Sequence, residues 1–292
     1  MSLYLATAAE GDLARVIGTH DRFNASDSLS VSYTREALRR LRDSVKFSVP
    51  DNGYILPAIR DSSLTIKEVV ERYVPHLNLP YTDTLIEYSF QKNEKTFDDP
   101  DVAVELLTTN YTGVVLLARQ VGDSEVSIIP VWRHRPEGKD SWVLSNFMAL
   151  INSKDQSLDV LPITEAGVMY GKNSRVAIND VKGEVSCLLE FLAALACSNT
   201  KVADEPFDRE KINKKREKRG KIPFYSYKVL TLSQGGSSSS VSNGLGRSPR
   251  VHLRRGHIRR LENKTVWVNA AVVGDKSKGM VVKDYAIERM SV

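Results

Sequence analysis

The chain's densest run of groups able to hold or cleave a phosphodiester is Arg250-Val-His-Leu-Arg-Arg-Gly-His-Ile-Arg-Arg260. Read as a strand, it sends alternate side chains to opposite faces, so Val251 and Leu253 take one face and His252 and Arg254 the other. Beyond Gly256 the next apolar residue is Ile258, and the parity changes. One extra residue at Arg255-Gly256 restores it, and glycine is a frequent bulge residue. The bulge puts His252, Arg254, His257 and Arg259 on one open face. Two guanidiniums there would grip phosphate through charge-assisted, forked hydrogen bonds. Two imidazoles would add proton chemistry near neutral pH: one takes a proton from a ribose 2′-hydroxyl, the other gives one to the leaving oxygen, and a cation stabilises the charge between them. Binding is the leading expectation. Metal-independent RNA cleavage by His252 and His257, supported by Arg254, Arg259 or Tyr225, is the alternative, and histidines that only hydrogen-bond or pack are the third reading.

The phosphate-binding set extends past this run. Lys214, Lys215, Arg216, Arg219 and Lys221 form a cationic cluster upstream, and Arg250, Arg255 and Arg260 add charge within the run itself. Tyr225 and Trp267 fall in predicted strands, where an exposed ring would stack on an unpaired base. That combination points to nucleic acid as the partner, RNA or single-stranded DNA, with RNA favoured. The chain has no Gly-rich phosphate loop with its lysine, no CxxC pair, no HExxH helix and no GxSxG elbow. No cofactor and no metal is expected, and an enzyme is the less favoured reading.

Charge is distributed unevenly along the 292 residues. The segment from Arg209 to Lys264 has 16 Lys or Arg against three acids, a balance of +13, while residues 1–208 have 21 basic and 30 acidic residues, a balance of −9. Such a split concerns partners rather than fold: the body would repel a polyanion and the basic segment would attract it. Mutual neutralisation, within the molecule or in a homo-oligomer, is the alternative. The apolar fraction of 41% is ordinary for a globular chain. No apolar run reaches the ~20 residues that span a bilayer, and the N-terminal stretch lacks a basic leader. The two cysteines, Cys187 and Cys197, lie ten residues apart in one helical pattern, roughly 15 Å along the axis and too far for a disulfide. A cytoplasmic setting without membrane contact is therefore expected.

Periodicity then supplies the scaffold. Residues 1–18 read as a strand or short helix. TREALRRLRDSVKF (34–47) reads as a helix capped by Thr34, and a second helix spans about 65–73. The stretches 79–90, 113–121, 125–134 and 141–151 are rich in β-branched and aromatic residues and are separated by turns such as Gly122-Asp123-Ser124, which predicts an antiparallel meander. Residues 180–198 repeat apolar positions at helical spacing after an Asn179 or Asp180 cap, and 167–175 reads as the loop before them. Charged residues 208–221 predict a helix or ordered arm ending at Gly220. Strands are expected at 224–232, 249–261, 264–274 and 279–288, with Glu262-Asn263 as a two-residue turn, and the Gly/Ser-rich stretch 234–246 as a mobile loop. The expected fold class is α+β: mainly antiparallel sheet with a long helix packed on one face, followed by a basic C-terminal β-rich part. The expected division is an acidic scaffold domain over 1–200 and a basic nucleic-acid-binding domain over 201–292. A single continuous sheet that takes in strand 224–232 is the other arrangement.

NKKREKRGKIPFYSY (213–227), PRVHLRRGHIRRL (249–261), VWVN (266–269), VVG (272–274) and GMVVKDY (279–285) resemble the C-terminal part of a protein family encoded by tailed bacteriophages and prophages, and LNLPYTDTLIEYSF (77–90) is a weaker match to the same group. The resemblance covers about a third of the chain. It implies a viral protein acting in the bacterial host cytoplasm and supplies no mechanism. The combined expectation is a phage-encoded nucleic-acid-binding protein. A ribonuclease, or an inhibitor or adaptor that binds a host protein, is the alternative.

Overall fold

The computed structural model describes residues 5–22, 28–53, 55, 78–90, 111–135, 139–205, 209–232, 250–254, 257–268, 271–273 and 275–280. The helix expected at 65–73, the loop 234–246, Arg255 and Gly256 lie outside them. The fold is α+β, built on one nine-stranded sheet. Its strands are β1 (Val45–Ser48), β2 (Asp83–Ser89), β3 (Tyr111–Gly122), β4 (Glu125–His134), β5 (Ser141–Leu144), β6 (Phe147–Asn152), β7 (Ser157–Pro162), β8 (Thr200–Asp204) and β9 (Lys228–Leu232). They run in the order β7-β6-β4-β3-β2-β1-β9-β8, with β5 also paired to β4. The expected antiparallel meander is present from β2 to β7, but the sheet is mixed, because β1 runs parallel to both β2 and β9.

Both faces of this sheet are covered by helices, not one. Helices α1 (Leu5–Arg22) and α2 (Leu29–Asp43) pack on one face, where Leu5, Ala9, Leu13, Ala37 and Leu41 meet Leu85, Val115, Leu117, Ile129 and Val131. On the other, Val181, Val185, Leu188, Leu189 and Leu192 of α4 (Arg175–Leu195) meet Ile86, Val114, Leu116, Val126 and Ile128. Neighbouring residues of one strand thus serve opposite cores, which is why Gly-Val-Val-Leu-Leu-Ala in β3 has no polar alternate. A short helix, α3 (Glu165–Tyr170), occupies part of the stretch read as a loop.

Helix starts differ from the expected ones because other hydroxyls take the capping role. Ser28 Oγ accepts from Val31 N and begins α2 six residues ahead of Thr34, which is buried inside the helix with its hydroxyl on Ser30 O. Ser174 Oγ accepts from Ala177 N and begins α4 ahead of Asp180, whose carboxylate instead accepts from Ser145 Oγ. Cys187 and Cys197 are both buried and are not joined in a disulfide.

The division expected at 200/201 falls at the start of β8, inside the large sheet, and β9 carries that sheet on to Leu232. Two smaller sheets follow. One has three strands, β10 (Arg250–Arg254), β13 (Ala271–Val273) and β14 (Asp275–Met280), and the other pairs β11 (His257–Leu261) with β12 (Lys264–Val268). The expected hairpin with its turn at Glu262-Asn263 is the β11–β12 pair, in the register Leu261 to Lys264.

One close approach makes a direct test of this packing. A Cβ on Gly167 of α3 would stand 2.3 Å from the carbonyl oxygen of Asn146, which already accepts from Ile163 N, and 3.2 Å from Pro162 Cβ. A backbone carbonyl on one side and the stiff Pro162 ring on the other leave little room to adjust. Gly167→Ala should cost about 1–3 kcal/mol, measured by urea unfolding, with Gly183→Ala as the control, since nothing lies within 4 Å of that position.

Candidate nucleic-acid interface

Helix α5 (Glu210–Glu217) has no buried residue and no apolar stripe. A helix this polar and only eight residues long is not maintained by core packing or by its own propensity, so its anchors have to be polar. At 100° per residue, Arg209, Asn213 and Arg216 fall on one side and Lys211, Lys214, Lys215 and Lys218 on the opposite side.

The first group holds the helix to the body. The Asn213 amide pairs with the Phe224 backbone in both directions, Nδ2 donating to Phe224 O and Oδ1 accepting from Phe224 N, each at 2.8 Å. Arg216 Nε donates to Ile222 O at 2.8 Å, and its guanidinium lies 3.9 Å from the Phe224 ring centroid. Arg209 is buried, forms an ion pair with Glu205 and faces the Tyr227 ring. The exit is closed by Gly220 at φ +63°, where Lys221 N donates to Arg216 O and Gly220 N to Glu217 O. This is the paired bond pattern of a glycine-terminated helix end, and it satisfies the last carbonyls.

Residues 224–227, expected as the start of a strand, instead lie with Ile222 and Pro223 against α1, and β9 starts only at Lys228. Their tyrosines are fixed by carboxylates. Tyr225 Oη donates to Glu10 Oε2 at 2.7 Å, and Glu10 also accepts from Arg42 Nε at 2.8 Å. Tyr227 Oη donates to Glu87 Oε2 at 2.7 Å, an oxygen that also accepts from Ala6 N at 3.0 Å. Lys46 Nζ donates to Ser44 O at 2.7 Å and sits 3.8 Å above the Tyr225 ring. Tyr225 is therefore half-buried and engaged at both its ring and its hydroxyl, which removes it from the expected base-stacking set.

The second group faces solvent. Lys211, Lys214, Lys215 and Lys218 are all exposed, as are Arg219 and Lys221. Lys214 pairs with Glu210, whereas Lys211, Lys215 and Lys218 make no ion pair among the described residues. Of the cluster expected to contact phosphate, Lys214, Lys215, Arg219 and Lys221 are thus presented, and Arg216 is turned inward. Lys211 and Lys218 complete the stripe, and neither was singled out from the sequence. Their i, i+3, i+4, i+7 spacing against Asn213 and Arg216 is the signal that could have found them.

The single bulged strand expected over 249–261 is two strands in two different sheets. His252 and Arg254 stand in β10, opposite Val273 and Ala271, together with Arg250. His257 and Arg259 stand in β11, opposite Val268 and Val266, together with Arg260. Trp267 of β12 lies opposite Ile258, and Arg259 is exposed. The premise that one strand puts both histidines on one face does not hold. Lys172, in the stretch read as the loop before the long helix, pairs with Asp159 at 3.1 Å.

Among the described residues no group of three or more His, Cys, Asp or Glu could hold a metal ion, and no helix is long and apolar enough to cross a membrane. No protein-family model, no curated protein and no solved structure matches the chain.

Lys46 gives the anchor a pH signature. It is buried, and desolvation pulls its pKa from 10.5 down to about 8, against the opposing pull of Glu10, Asp43 and Glu87. Between those values the unfolded chain holds the extra proton, so stability rises with pH through this window, by up to about 1.4 kcal/mol per unit. Tyr225 and Tyr227 act in the opposite sense. Burial first, and then Glu10 and Glu87 respectively, raise both phenols well above the usual range, and their contribution declines only above the unfolded value of about 10. Between pH 8 and 10 the wild type should therefore gain stability relative to Lys46→Met in urea unfolding. Parallel curves for the two proteins would show that Lys46 titrates as an ordinary lysine.

Proposed function

We propose that the chain binds nucleic acid through the outward lysines of α5 and the cations Arg219 and Lys221 that follow it. One observation carries the reading: α5 is fastened by Arg209, Asn213 and Arg216 on one side and exposes Lys211, Lys214, Lys215 and Lys218 on the other. Like charges at i, i+4 repel each other by a few tenths of a kcal/mol per pair. Lys211 with Lys215, and Lys214 with Lys218, stand at that spacing on a helix that no core supports. A polyanion relieves this repulsion and returns counterions to solution. Lys214, Lys215 and Lys218 lie toward the helix C-terminus, where the helix dipole favours positive charge and offsets part of that repulsion.

Cleavage by His252 and His257 loses its premise, since the two stand in strands of different sheets. A phage origin, and with it a bacterial host as the setting, rests on the sequence resemblance alone. The favoured status of RNA rested on rings free to stack, and Tyr225 is not one of them.

The test is the salt dependence of affinity. A plot of log affinity against log salt for a duplex oligonucleotide should fall by several units. The combined change Lys211→Gln, Lys214→Gln, Lys215→Gln and Lys218→Gln should flatten that slope by about 3–4, at roughly 0.9 per phosphate contact. Thermal stability should be unchanged, because the four side chains lie on the surface. A flat plot for the wild type would remove the proposal, and tight binding to an acidic protein in place of nucleic acid would replace it.

A further inference from the structure

We infer that α5 contacts the phosphate backbone and not the bases, so that this surface takes double-stranded nucleic acid at least as well as single strands and without regard to sequence. The inference rests on the proposed nucleic-acid reading and narrows its substrate class. Two independent observations carry it.

The first is the state of the aromatic side chains next to the arm. A base-stacking platform needs an open ring. Phe224 lies under the guanidinium of Arg216, at 3.9 Å. Tyr225 lies under the ammonium of Lys46, at 3.8 Å, with its hydroxyl on Glu10. Tyr227 is buried, faces Arg209, and has its hydroxyl on Glu87. Each ring already carries a cation of the protein, and both hydroxyls are bonded to carboxylates. The aromatics of this segment fasten the arm to the body.

The second is which cation points where. The arginines flanking and within α5, Arg209 and Arg216, turn inward, while the outward stripe of Lys211, Lys214, Lys215 and Lys218 is all lysine. Arginine's planar fork reads a base edge through two parallel hydrogen bonds. Lysine's ammonium is a point charge on a flexible stem, suited to a phosphate whose neighbours vary. Only Arg219, at the helix exit, offers an exposed fork in this segment. From Lys211 to Lys218 the stripe covers about 10 Å of helix, long enough to meet more than one phosphate of a duplex, which carries one per ~3.4 Å of its axis on each strand.

The experiment uses the full chain and its four-lysine glutamine variant. Fluorescence anisotropy is read on duplex DNA, duplex RNA and single-stranded DNA of equal length, the last as two unrelated sequences. The expected result is that the four substitutions weaken duplex binding by at least the factor they weaken single-strand binding, and weaken the two sequences alike. A loss confined to single strands, or to one of the two sequences, would overturn the inference while leaving the nucleic-acid reading in place. Wild-type binding that the substitutions do not change would overturn both the inference and the assignment of binding to α5, since the contact would then lie elsewhere on the chain. Failure of the wild type to bind any of the oligonucleotides at low salt would sink both.

Discussion

The carboxylate of Glu87 lies in the middle of β2 and is 1% exposed. A carboxylate withdrawn from water costs several kcal/mol unless donors converge on it. That requirement fixes how three distant parts of the chain meet. Ala6 N brings the first turn of α1, where a backbone N–H has no helical acceptor, and the Tyr227 hydroxyl brings the segment leading into β9. From there the constraint propagates backwards along the chain. Tyr225 is drawn to Glu10 on α1, Phe224 to Asn213, and Ile222 to Arg216. The exposed face of α5 therefore follows from a charge buried in the sheet some 130 residues earlier in the chain (Glu87 to Asn213).

A second consequence concerns where the chain's positive charge is free to act. In the body, several cations are tied to acids: Arg119 to Asp83 and Glu36, Arg40 to Glu36, Arg42 to Glu10, and Arg135 to Asp140. Several of these pairs are half-buried and join α1 or α2 to the sheet or to each other. The stripe on α5 is built differently, with four lysines on one side and, among the described residues, one carboxylate partner, Glu210, for one of them. The acidic excess of residues 1–208 and the basic excess that follows thus have physical counterparts in an internally paired body and an outward cationic helix.

Much of this was legible in the sequence where a local rule decides. The uninterrupted apolar runs of β3 and β4 mark strands, and with both faces apolar they imply cover on both sides, a point the expectation of one packed helix missed. The turns at Gly122-Asp123-Ser124 and Glu262-Asn263, and the stop at Gly220, follow from residue chemistry that admits few alternatives. The rest depends on distant partners. Ser28 and Thr34 are equally able to cap, and only the packing of α2 chooses between them. The four residues Val45–Ser48 carry almost no signal, yet β1 joins the two halves of the sheet through parallel pairing. The alternating aromatics Tyr225 and Tyr227 look the same whether they will stack on a base or fasten to Glu10 and Glu87, and those glutamates lie more than a hundred residues away. The run 250–260 divides between two sheets because its partners β12, β13 and β14 lie further along the chain.

The central claim is that a body-anchored helix presents four lysines to a polyanion, and chemical footprinting tests it most directly. The protein would be acetylated with and without a saturating duplex, and each lysine's modification quantified by mass spectrometry. The account predicts protection of Lys211, Lys214, Lys215 and Lys218, with the exposed body lysines Lys154 and Lys182 modified equally in both samples. Duplex binding that leaves the four stripe lysines as reactive as in the free protein would contradict it.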